Sequence, residues 1–239
     1  MNRSEINNLI KSALKFFDEF KWKLPPFAYY TLNDWKKIAS NQVLKQQHSE
    51  IIQKKLGWDL TDFGSGNFEK IGLLLFTIRN GEMDTIRTYA EKIMIQKNGQ
   101  STPLHYHWKK CEDIINRGGG DLVIKVYKAD PRDNYSKDGE WQSGILSDSK
   151  LELLISGKKI SLDAGIEIIL KPGEDIVIPP RIYHSFLAEK DVFIGEISMV
   201  NDDTKDNRFY ENIPRFSKIE NDTQPEFLLV SDYENILNL

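Results

Sequence analysis

Three of the four histidines in this 239-residue chain lie in two short segments whose first residues are 74 positions apart. Residues 99–112 read GQSTPLHYHWKKCE, and residues 173–184 read GEDIVIPPRIYH. The potential metal ligands in these segments are His105, His107, Glu112 and His184. Side chains two residues apart lie on the same face of a β-strand, so the first two histidines can bind one ion from one strand. This pattern constrains the segment to an extended structure.

The carboxylate and the third histidine are expected to reach the same ion from neighbouring strands. Glu112 follows the first pair at a distance that suits a turn or a strand bend. His184 follows Pro179 and Pro180, where an extended chain is favoured and a helix is not. The two segments together predict one metal site with three imidazole ligands and one carboxylate ligand. Such a ligand set accommodates Mn, Fe, Co, Ni or Zn.

The segment from Ile71 onwards is typical of an all-β structure, because short runs of Leu, Ile, Val, Phe and Tyr alternate with turn residues. The number of runs suits a β-sandwich barrel, so we expect a mainly β fold. The expected strands are 71–78, 89–96, 103–108, 121–128, 151–155, 166–170, 175–178, 182–188 and 192–199.

Two further stretches are interpreted as connections between strands. Residues 118–120 are all glycine, and they predict a tight turn, since the Lys-Ser or Lys-Thr pair of a phosphate-binding loop does not follow them. Residues 130–144 are polar and predict a long solvent-facing loop at one end of the barrel.

The N-terminal region is expected to be helical and to pack outside the barrel. Apolar residues recur there at helical spacing, which predicts an amphipathic helix that ends before Pro25. Asn33 or Asp34 could cap a short helix that runs through Ile38. A further helix is expected at 49–56, and His48 is interpreted as an exposed helical residue. The apolar positions of the first helix are Ile6, Leu9, Ile10, Ala13, Leu14, Phe17 and Phe20.

Length and composition suit a single domain, 1–239, with a helical extension over 1–60, a β-barrel over about 70–200 and a C-terminal segment over 201–239. The net charge of -4 argues against nucleic-acid binding. No stretch approaches the roughly 20 apolar residues of a membrane span. Cys111 is the only cysteine, which fits packing in a reducing compartment. We therefore expect a cytoplasmic protein without membrane or nucleic-acid partners.

The two histidine-containing segments resemble the two motifs of the cupin family. The first cupin motif has Gly, five residues, His-x-His, four residues, Glu, six residues and Gly, and Gly99 and Gly119 complete it around the three ligands. In the second motif Gly173, Pro179 and His184 match. Arg181 and Ala188 replace the Gly and Asn of that motif, which leaves the turn geometry open.

The flanking sequence is similar to that of the bacterial D-lyxose isomerases, from about residue 10 to the C-terminus. The similar runs are 90–93 (AEKI), 102–110 (TPLHYHWKK), 112–120 (EDIINRGGG) and 201–210 (NDDTKDNRFY). The resemblance implies a homodimeric, manganese-dependent enzyme that interconverts an aldose and a ketose through a cis-enediolate. D-lyxose and D-xylulose are the implied principal pair, and D-mannose and D-fructose are a second pair.

Proton transfer in such a reaction needs a base, and Glu196 is the candidate, because burial on the apolar strand 193–199 would raise its pKa. An outward-facing surface carboxylate is the alternative, and Glu220 is a second candidate base. Lys92 could bind a sugar oxygen or assist the proton shuttle. Lys110 and Arg208 are weaker candidates for binding sugar hydroxyls.

Several rival functions remain open, because one cupin barrel serves enzymes and binding proteins alike. An oxygenase would use the same ligands with iron and oxygen. A sugar-phosphate isomerase would need a convergent cluster of Arg and Lys, which Lys109 and Lys110 do not establish. A non-catalytic sugar-binding cupin would use metal only to stabilise the barrel.

Overall fold

The computed structural model describes residues 1–236 and is dominated by one antiparallel sheet that folds on itself. Its strands follow the order β1-β2-β3-β11-β5-β10-β7-β8, with β4 beside β11, β12 beside β4, and β6 and β9 beside β5. The strands are β1 (Gly57–Thr61), β2 (Leu73–Asn80), β3 (Tyr89–Gln96), β4 (His105–His107), β5 (Glu112–Ala129), β6 (Leu146–Ser147), β7 (Leu151–Ile155), β8 (Lys158–Leu162), β9 (Glu167–Leu170), β10 (Asp175–Ile178), β11 (Ile182–Met199) and β12 (Asn207–Phe209).

The helices lie outside this sheet, as the sequence predicted, and none of those described is long and apolar enough to cross a membrane. They are α1 (Arg3–Glu19), α2 (Leu32–Ala39), α3 (Gln42–Gln47), α4 (Ser49–Gln53) and α5 (Tyr233–Ile236), with short 3₁₀ helices at Pro26–Tyr29 and Val230–Asp232.

The termini of the short helices differ from the prediction. Thr31, rather than Asn33 or Asp34, caps α2, and Asp34 completes a capping box by accepting a hydrogen bond from the Thr31 backbone N–H. The helix expected at 49–56 ends at Gln53. His48 is half-buried between α3 and α4, with its Nδ1 2.7 Å from the Leu44 carbonyl oxygen, so the exposed helical position is wrong.

Strands β2 and β3 are buried on both faces, which explains their nearly continuous apolar sequence. Leu75 and Met94 point into the barrel, where they join the core formed with β5 and β11. Phe76 and Ile93 point outwards and pack against α1. The amphipathic stripe of α1 is therefore buried against the sheet, as the helical spacing predicted.

The glycine run 118–120 lies within β5 and not in a turn, so that expectation is wrong. Strand β5 passes through the run and pairs with β11 on both sides of a shift in register. A Cβ on Gly119 would lie 2.2 Å from the Asp191 carbonyl oxygen, and one on Gly120 would lie 1.8 Å from that of Glu189. The glycines allow the two backbones to approach closely at this bulge.

Strand β1 corrects the expectation that residues 1–60 are only helical. Gly57–Thr61 pairs antiparallel with β2 and is buried along its whole length. Asp59 lies in the middle of this strand, and the polar side chain masks the strand pattern in the sequence. The strand places Asp59 and Thr61 in contact with Arg215, which borders the barrel cavity described below.

The C-terminal segment packs against the start of α1. Arg3 makes a two-pronged ion pair with Asp232, and Asn2 pairs with Glu220 through a parallel bridge. Asn7 donates a hydrogen bond to the Gln224 carbonyl oxygen. The described part of the segment expected at 201–239 thus stabilises the N-terminal helix, whereas 237–239 lie outside the described residues.

Candidate metal centre and active site

Strand geometry brings the three predicted histidines together. His105 and His107 lie at alternate positions on β4, and His184 on β11 pairs directly with His105. One ligand nitrogen of each imidazole lies within 4.8 Å of those of the other two, so the three can hold one metal ion. Glu112 begins β5 after a bend at 108–109, as its spacing predicted. Its Oε2 lies 3.3 Å from His107 Nε2.

Backbone carbonyl groups orient two of the imidazoles. His105 Nδ1 lies 2.9 Å from the Pro103 carbonyl oxygen, and His184 Nδ1 lies 3.0 Å from that of Ile182. A carbonyl oxygen accepts a hydrogen bond only from a protonated nitrogen, so Nδ1 carries the proton in the neutral ring. The Nε2 lone pairs are left free for a metal, an arrangement common in protein metal sites.

The contact between His184 and Glu112 also fits a bound cation. His184 Nε2 and Glu112 Oε1 lie 2.9 Å apart, but their orientation forms no hydrogen bond, and neither has another hydrogen-bond partner among residues 1–236. A lone pair therefore faces a carboxylate oxygen in a buried site. A divalent cation would satisfy both atoms, so the donor set fits the metal that the sequence predicted.

The electrostatic environment keeps the ligands in the protonation state that metal binding needs. Burial lowers the pKa of His105 well below its ordinary value, and the nearby His184 and His107 lower it further. Burial and then Lys110 lower the pKa of His107, against the opposing effect of Glu112. Burial raises the pKa of Glu112, but Lys110 and the histidines outweigh it and hold the carboxyl well below its ordinary pKa.

The structure resolves the turn that the altered second motif left open. Arg181 has φ = 63°, the left-handed conformation for which the Gly of the cupin motif is suited. Its guanidinium donates hydrogen bonds to the carbonyl oxygens of Asp130 and Asp133 and lies over the rings of Tyr106 and Trp108. These contacts offset the conformational cost of a non-glycine residue, and the turn still delivers His184 to the site.

Lys92, Lys110 and Glu196 form a buried charge cluster beside the histidines. Lys110 Nζ donates a hydrogen bond to Glu196 Oε1 at 2.8 Å and lies 2.7 Å from Glu112 Oε2. Lys92 Nζ donates to Asn201 Oδ1 at 2.5 Å. Glu196 faces the cavity and not solvent, because it lies opposite Lys92 in the β3–β11 pair and is 4% exposed.

The direction of the Glu196 pKa shift differs from the prediction. Burial raises the pKa, as expected, but Lys110 and Lys92 outweigh burial and bring it below the ordinary value. The predicted net increase is therefore wrong. The sequence indicated the desolvation of Glu196 but not the two lysines around it. Glu196 is thus ionised at neutral pH and can accept a proton.

Two of the candidates from the sequence lie away from the cavity. Arg208 pairs with Tyr106 on β4 and points to the face opposite His105 and His107, where it makes a fully buried ion pair with Asp133. Asp133 belongs to the 130–144 loop, so that loop is not simply solvent-facing. Glu220 is exposed, and its backbone pairs with the start of α1.

The cavity has polar lining residues that sequence analysis missed. Asp203 and Arg215 border it together with Lys92, Glu196 and the histidines, and Phe63 and Phe209 supply apolar walls. Asp203 falls within the run 201–210 that resembles the isomerases, so the sequence contained a signal for it. Arg215 lies outside that run, and only its tertiary contacts reveal that it borders the cavity.

A family model described as D-lyxose isomerase matches residues 1–233. The chain belongs to the D-lyxose isomerase family. A D-lyxose/D-mannose isomerase of Serratia proteamaculans is 41% identical over 98% of both chains. One of Escherichia coli O157:H7 is 39% identical over the same shares. The resemblance inferred from the sequence motifs is confirmed, and this family member is a sugar aldose–ketose isomerase.

Solved structures confirm the cupin fold of this D-lyxose isomerase family member. An L-ribose isomerase variant from Acinetobacter sp. DL28 in complex with L-ribose superposes with a TM-score of 0.59 at 13% identity, covering 92% of this chain and 98% of that one. The ligand-free L-ribose isomerase of Cellulomonas parahominis has a TM-score of 0.57 at the same identity and coverage. At this identity the similarity establishes the fold alone.

Proposed function

We propose that the enzyme interconverts D-lyxose and D-xylulose, and also D-mannose and D-fructose, with a divalent metal ion, Mn²⁺ in the first place. The observation that carries the proposal is the position of the Glu196 carboxylate next to a histidine cluster fit for a metal, in one buried cavity. The relatives at 41% and 39% identity are both named D-lyxose/D-mannose isomerase, which supports these two sugar pairs.

The metal ligands in this proposal are His105, His107, Glu112 and His184. Mn²⁺ is our first choice, and Zn, Co, Fe and Ni suit the same donors. The bound ion would polarise the oxygens on C1 and C2 of the sugar and make the hydrogen on the neighbouring carbon more acidic. The four side chains would hold the ion, so C1 and C2 of the sugar would lie beside the histidine cluster.

Glu196 is the proposed base. In the aldose-to-ketose direction its carboxylate accepts the proton from C2, which gives a cis-enediolate; the hydroxyl proton on O2 passes to O1, and Glu196 returns the first proton to C1. Its ionised form at neutral pH suits the first step, and the buried cavity prevents exchange of the proton with bulk water. One carboxylate thus serves both carbons in turn.

The two lysines have different proposed roles. Lys110 bridges Glu112 and Glu196 and keeps both carboxylates ionised and apart, so it is a positioning residue for the ligand and the base. Lys92 contacts Glu196 less closely, at 3.5 Å, and lies on the cavity wall. Its ammonium group can donate a hydrogen bond to a sugar oxygen while it remains paired with Glu196.

The same ion pairs disfavour a sugar phosphate as substrate. Lys92, Lys110 and Arg215 border the cavity, but each lies within 3.5 Å of a carboxylate. A phosphate would compete with these carboxylates for the donors. The hydroxyl groups of a neutral sugar can instead accept hydrogen bonds from the cationic side chains and donate hydrogen bonds to the carboxylates.

The experiment that tests the proposal is turnover of D-lyxose by metal-stripped protein with and without Mn²⁺. The proposal is supported if added Mn²⁺ restores the formation of D-xylulose in wild type but not in His105→Ala or His184→Ala. The matched control is His48→Ala, since this fourth histidine lies among the outer helices. Absence of turnover on both D-lyxose and D-mannose by correctly folded, metal-loaded protein contradicts the proposal.

We further propose that the enzyme is a cytoplasmic homodimer. The single cysteine, Cys111, is half-buried, and burial raises the pKa of its thiol, which suits a reduced packing residue. Gel filtration with light scattering measures the subunit number, and a monomer at micromolar concentration contradicts the dimer.

A further inference from the structure

Arg215 lies in the segment that follows β12, where its side chain forms part of the cavity wall. The guanidinium-bearing side chain is 10% exposed. It borders the same cavity as His105, Lys92 and Glu196. A buried arginine at such a place is costly unless its charge is paired and its donors are used.

Two residues of strand β1 make hydrogen bonds with this arginine. Arg215 Nη2 donates a hydrogen bond to Asp59 Oδ2 at 2.7 Å, and Asp59 is itself buried. The Thr61 hydroxyl donates to the Arg215 carbonyl oxygen at 2.8 Å, which fixes the backbone. Asp203 Oδ1 lies 3.5 Å from the same Nη2. The guanidinium is therefore neutralised and held rigidly before any substrate enters.

One donor nitrogen of this rigid group is unused. Arg215 Nη1 is buried and has no hydrogen-bond partner among residues 1–236. A buried donor without a partner is unfavourable, so one on a residue that lines a cavity indicates a group that the cavity receives. The nitrogen carries two N–H groups and accepts nothing, so its partner must offer an oxygen lone pair.

A chain of contacts links the proposed base to Arg215. From the proposed base Glu196 the chain runs through Lys92 to Asn201, whose side-chain amide donates to Asp203 Oδ2 at 2.7 Å. Asp203 in turn contacts Arg215, which is the last residue of this chain of contacts. The proposed function places the reacting carbons at its first residue, Glu196.

We propose that Arg215 is a specificity-determining residue that donates a hydrogen bond to a sugar hydroxyl on C3, C4 or C5, and that Asp59 positions it. The inference rests on the proposed function, because that function places C1 and C2 at the histidine cluster. Asp203 lies beside Arg215 and can accept a hydrogen bond from the same or the adjacent hydroxyl. The sugar is thereby held at both ends across the base.

The test combines variants with altered substrates. Wild type, Arg215→Met and Arg215→Lys are assayed with D-lyxose and with its 3-deoxy, 4-deoxy and 5-deoxy analogues. We expect Arg215→Met to lower kcat/KM for D-lyxose by about 100-fold or more, since a site built to hydrogen-bond a hydroxyl discriminates strongly against its absence. For one of the deoxy analogues the same substitution changes kcat/KM less than threefold.

The matched control is Arg3→Lys, because Arg3 is also a buried arginine paired with an aspartate but lies outside the cavity. It should leave kcat/KM within about twofold of wild type for all four sugars, whereas Arg215→Lys should lose activity on D-lyxose. A loss of equal size for Arg215→Met on every sugar would show a structural role only and overturn the inference. Thermal unfolding and Mn²⁺ affinity, measured for each variant, separate misfolding from loss of sugar binding.

Failure of the proposed function gives a different result. If wild type turns over neither D-lyxose nor D-mannose, equilibrium binding of the four sugars to the Mn²⁺-loaded protein replaces the rate measurement. Weaker binding in Arg215→Met, with one insensitive analogue, keeps the inference although the reaction is another one. Wild type that binds none of these sugars contradicts both the inference and the proposed substrates.

Discussion

Lys92 and Glu196 face each other across β3 and β11, with Lys92 Nζ 3.5 Å from Glu196 Oε1. Both side chains are nearly inaccessible to solvent, at 3% and 5% exposure. A buried ion pair is weak evidence for stability, because desolvation costs about as much as the attraction returns. The pair is better explained by the proposed reaction, which needs an ionised carboxylate next to the substrate.

Glu196→Gln should lower kcat by about 10²–10⁴-fold, the range for loss of a general base, with little change in Mn²⁺ affinity. Glutamine keeps the shape but cannot accept the proton. The rate is measured with D-lyxose at saturation. Glu91→Gln, on the same sheet but partly exposed and paired with Arg79, is the control and should remain active. Full activity of Glu196→Gln would assign the base to another residue.

Lys110→Met should destabilise the metal-free protein more than Lys92→Met does. Lys110 neutralises two buried carboxylates, and its loss leaves Glu112 without a lysine partner and Glu196 with only the longer contact to Lys92. Removing one partner of a buried ion pair costs about 3–5 kcal/mol. Urea unfolding in the presence of a chelator measures the difference. Equal stability of the two variants would show that the carboxylates do not depend on Lys110.

Removal of the metal should abolish turnover and lower the melting temperature, because His184 Nε2 and Glu112 Oε1 are then unsatisfied. Dialysis against a chelator, followed by titration with Mn²⁺, tests this by calorimetry and by rate. His105→Ala should bind Mn²⁺ at least about tenfold more weakly, since ligand loss costs more than the 10-fold to 100-fold of an outer-shell change. An unchanged melting temperature after chelation would contradict the metal site.

Stability of the metal-free protein should fall as the pH decreases from neutrality. Burial keeps the folded-state pKa values of His105 and His107 below the ordinary value of 6.5, so below that pH the unfolded chain binds more protons. Each histidine then contributes up to about 1.4 kcal/mol per pH unit. The lowered pKa of Glu112 adds a loss that begins only as the pH falls to the ordinary value of 4.5 and is complete at the lower folded-state value.

Urea unfolding at a series of pH values between 7.5 and 5 measures this slope. His105→Asn removes one of the two titrating groups and should have the shallower dependence. A slope that is the same in the variant and in wild type would show that His105 is not shielded from protonation in the folded state.

Gly120→Ala should destabilise the barrel by about 1–3 kcal/mol, the cost of overpacking a well-packed structure. The new Cβ would meet the Glu189 carbonyl oxygen at 1.8 Å, and both belong to the long central strands. Gly139→Ala, where no atom lies within 4 Å but φ is +80°, adds backbone strain without a clash and is the control. Chemical denaturation gives both values, and a neutral Gly120→Ala would contradict the close backbone approach.

The sequence alone was enough to predict the barrel and the cluster of histidines. Residues two apart share a strand face whatever the tertiary structure, so His105 and His107 could be paired without knowing their neighbours. The apolar runs of β2 and β3 likewise follow from their burial on both faces. These features depend on local geometry and on composition, which a single sequence carries.

The register between distant strands could not be predicted. Arg208 was expected at the substrate, but pairing with Tyr106 turns it to the opposite face of β4. A shift of one residue in the register of this pair would have turned Arg208 towards the cavity, because successive side chains of a strand point to opposite faces. Arg215 and Asp59 meet across 156 positions of sequence, and the attraction between them has no local signature.

The packing of α1 on the sheet has a consequence for synthesis of the chain. The helix leaves the ribosome before β11, yet its Phe17 packs against Phe193 of that strand, with ring centroids 5.1 Å apart. Until β11 has been translated, the apolar side of α1 lacks part of its partner surface and is open to aggregation. The contact between α1 and the sheet is therefore completed late in synthesis.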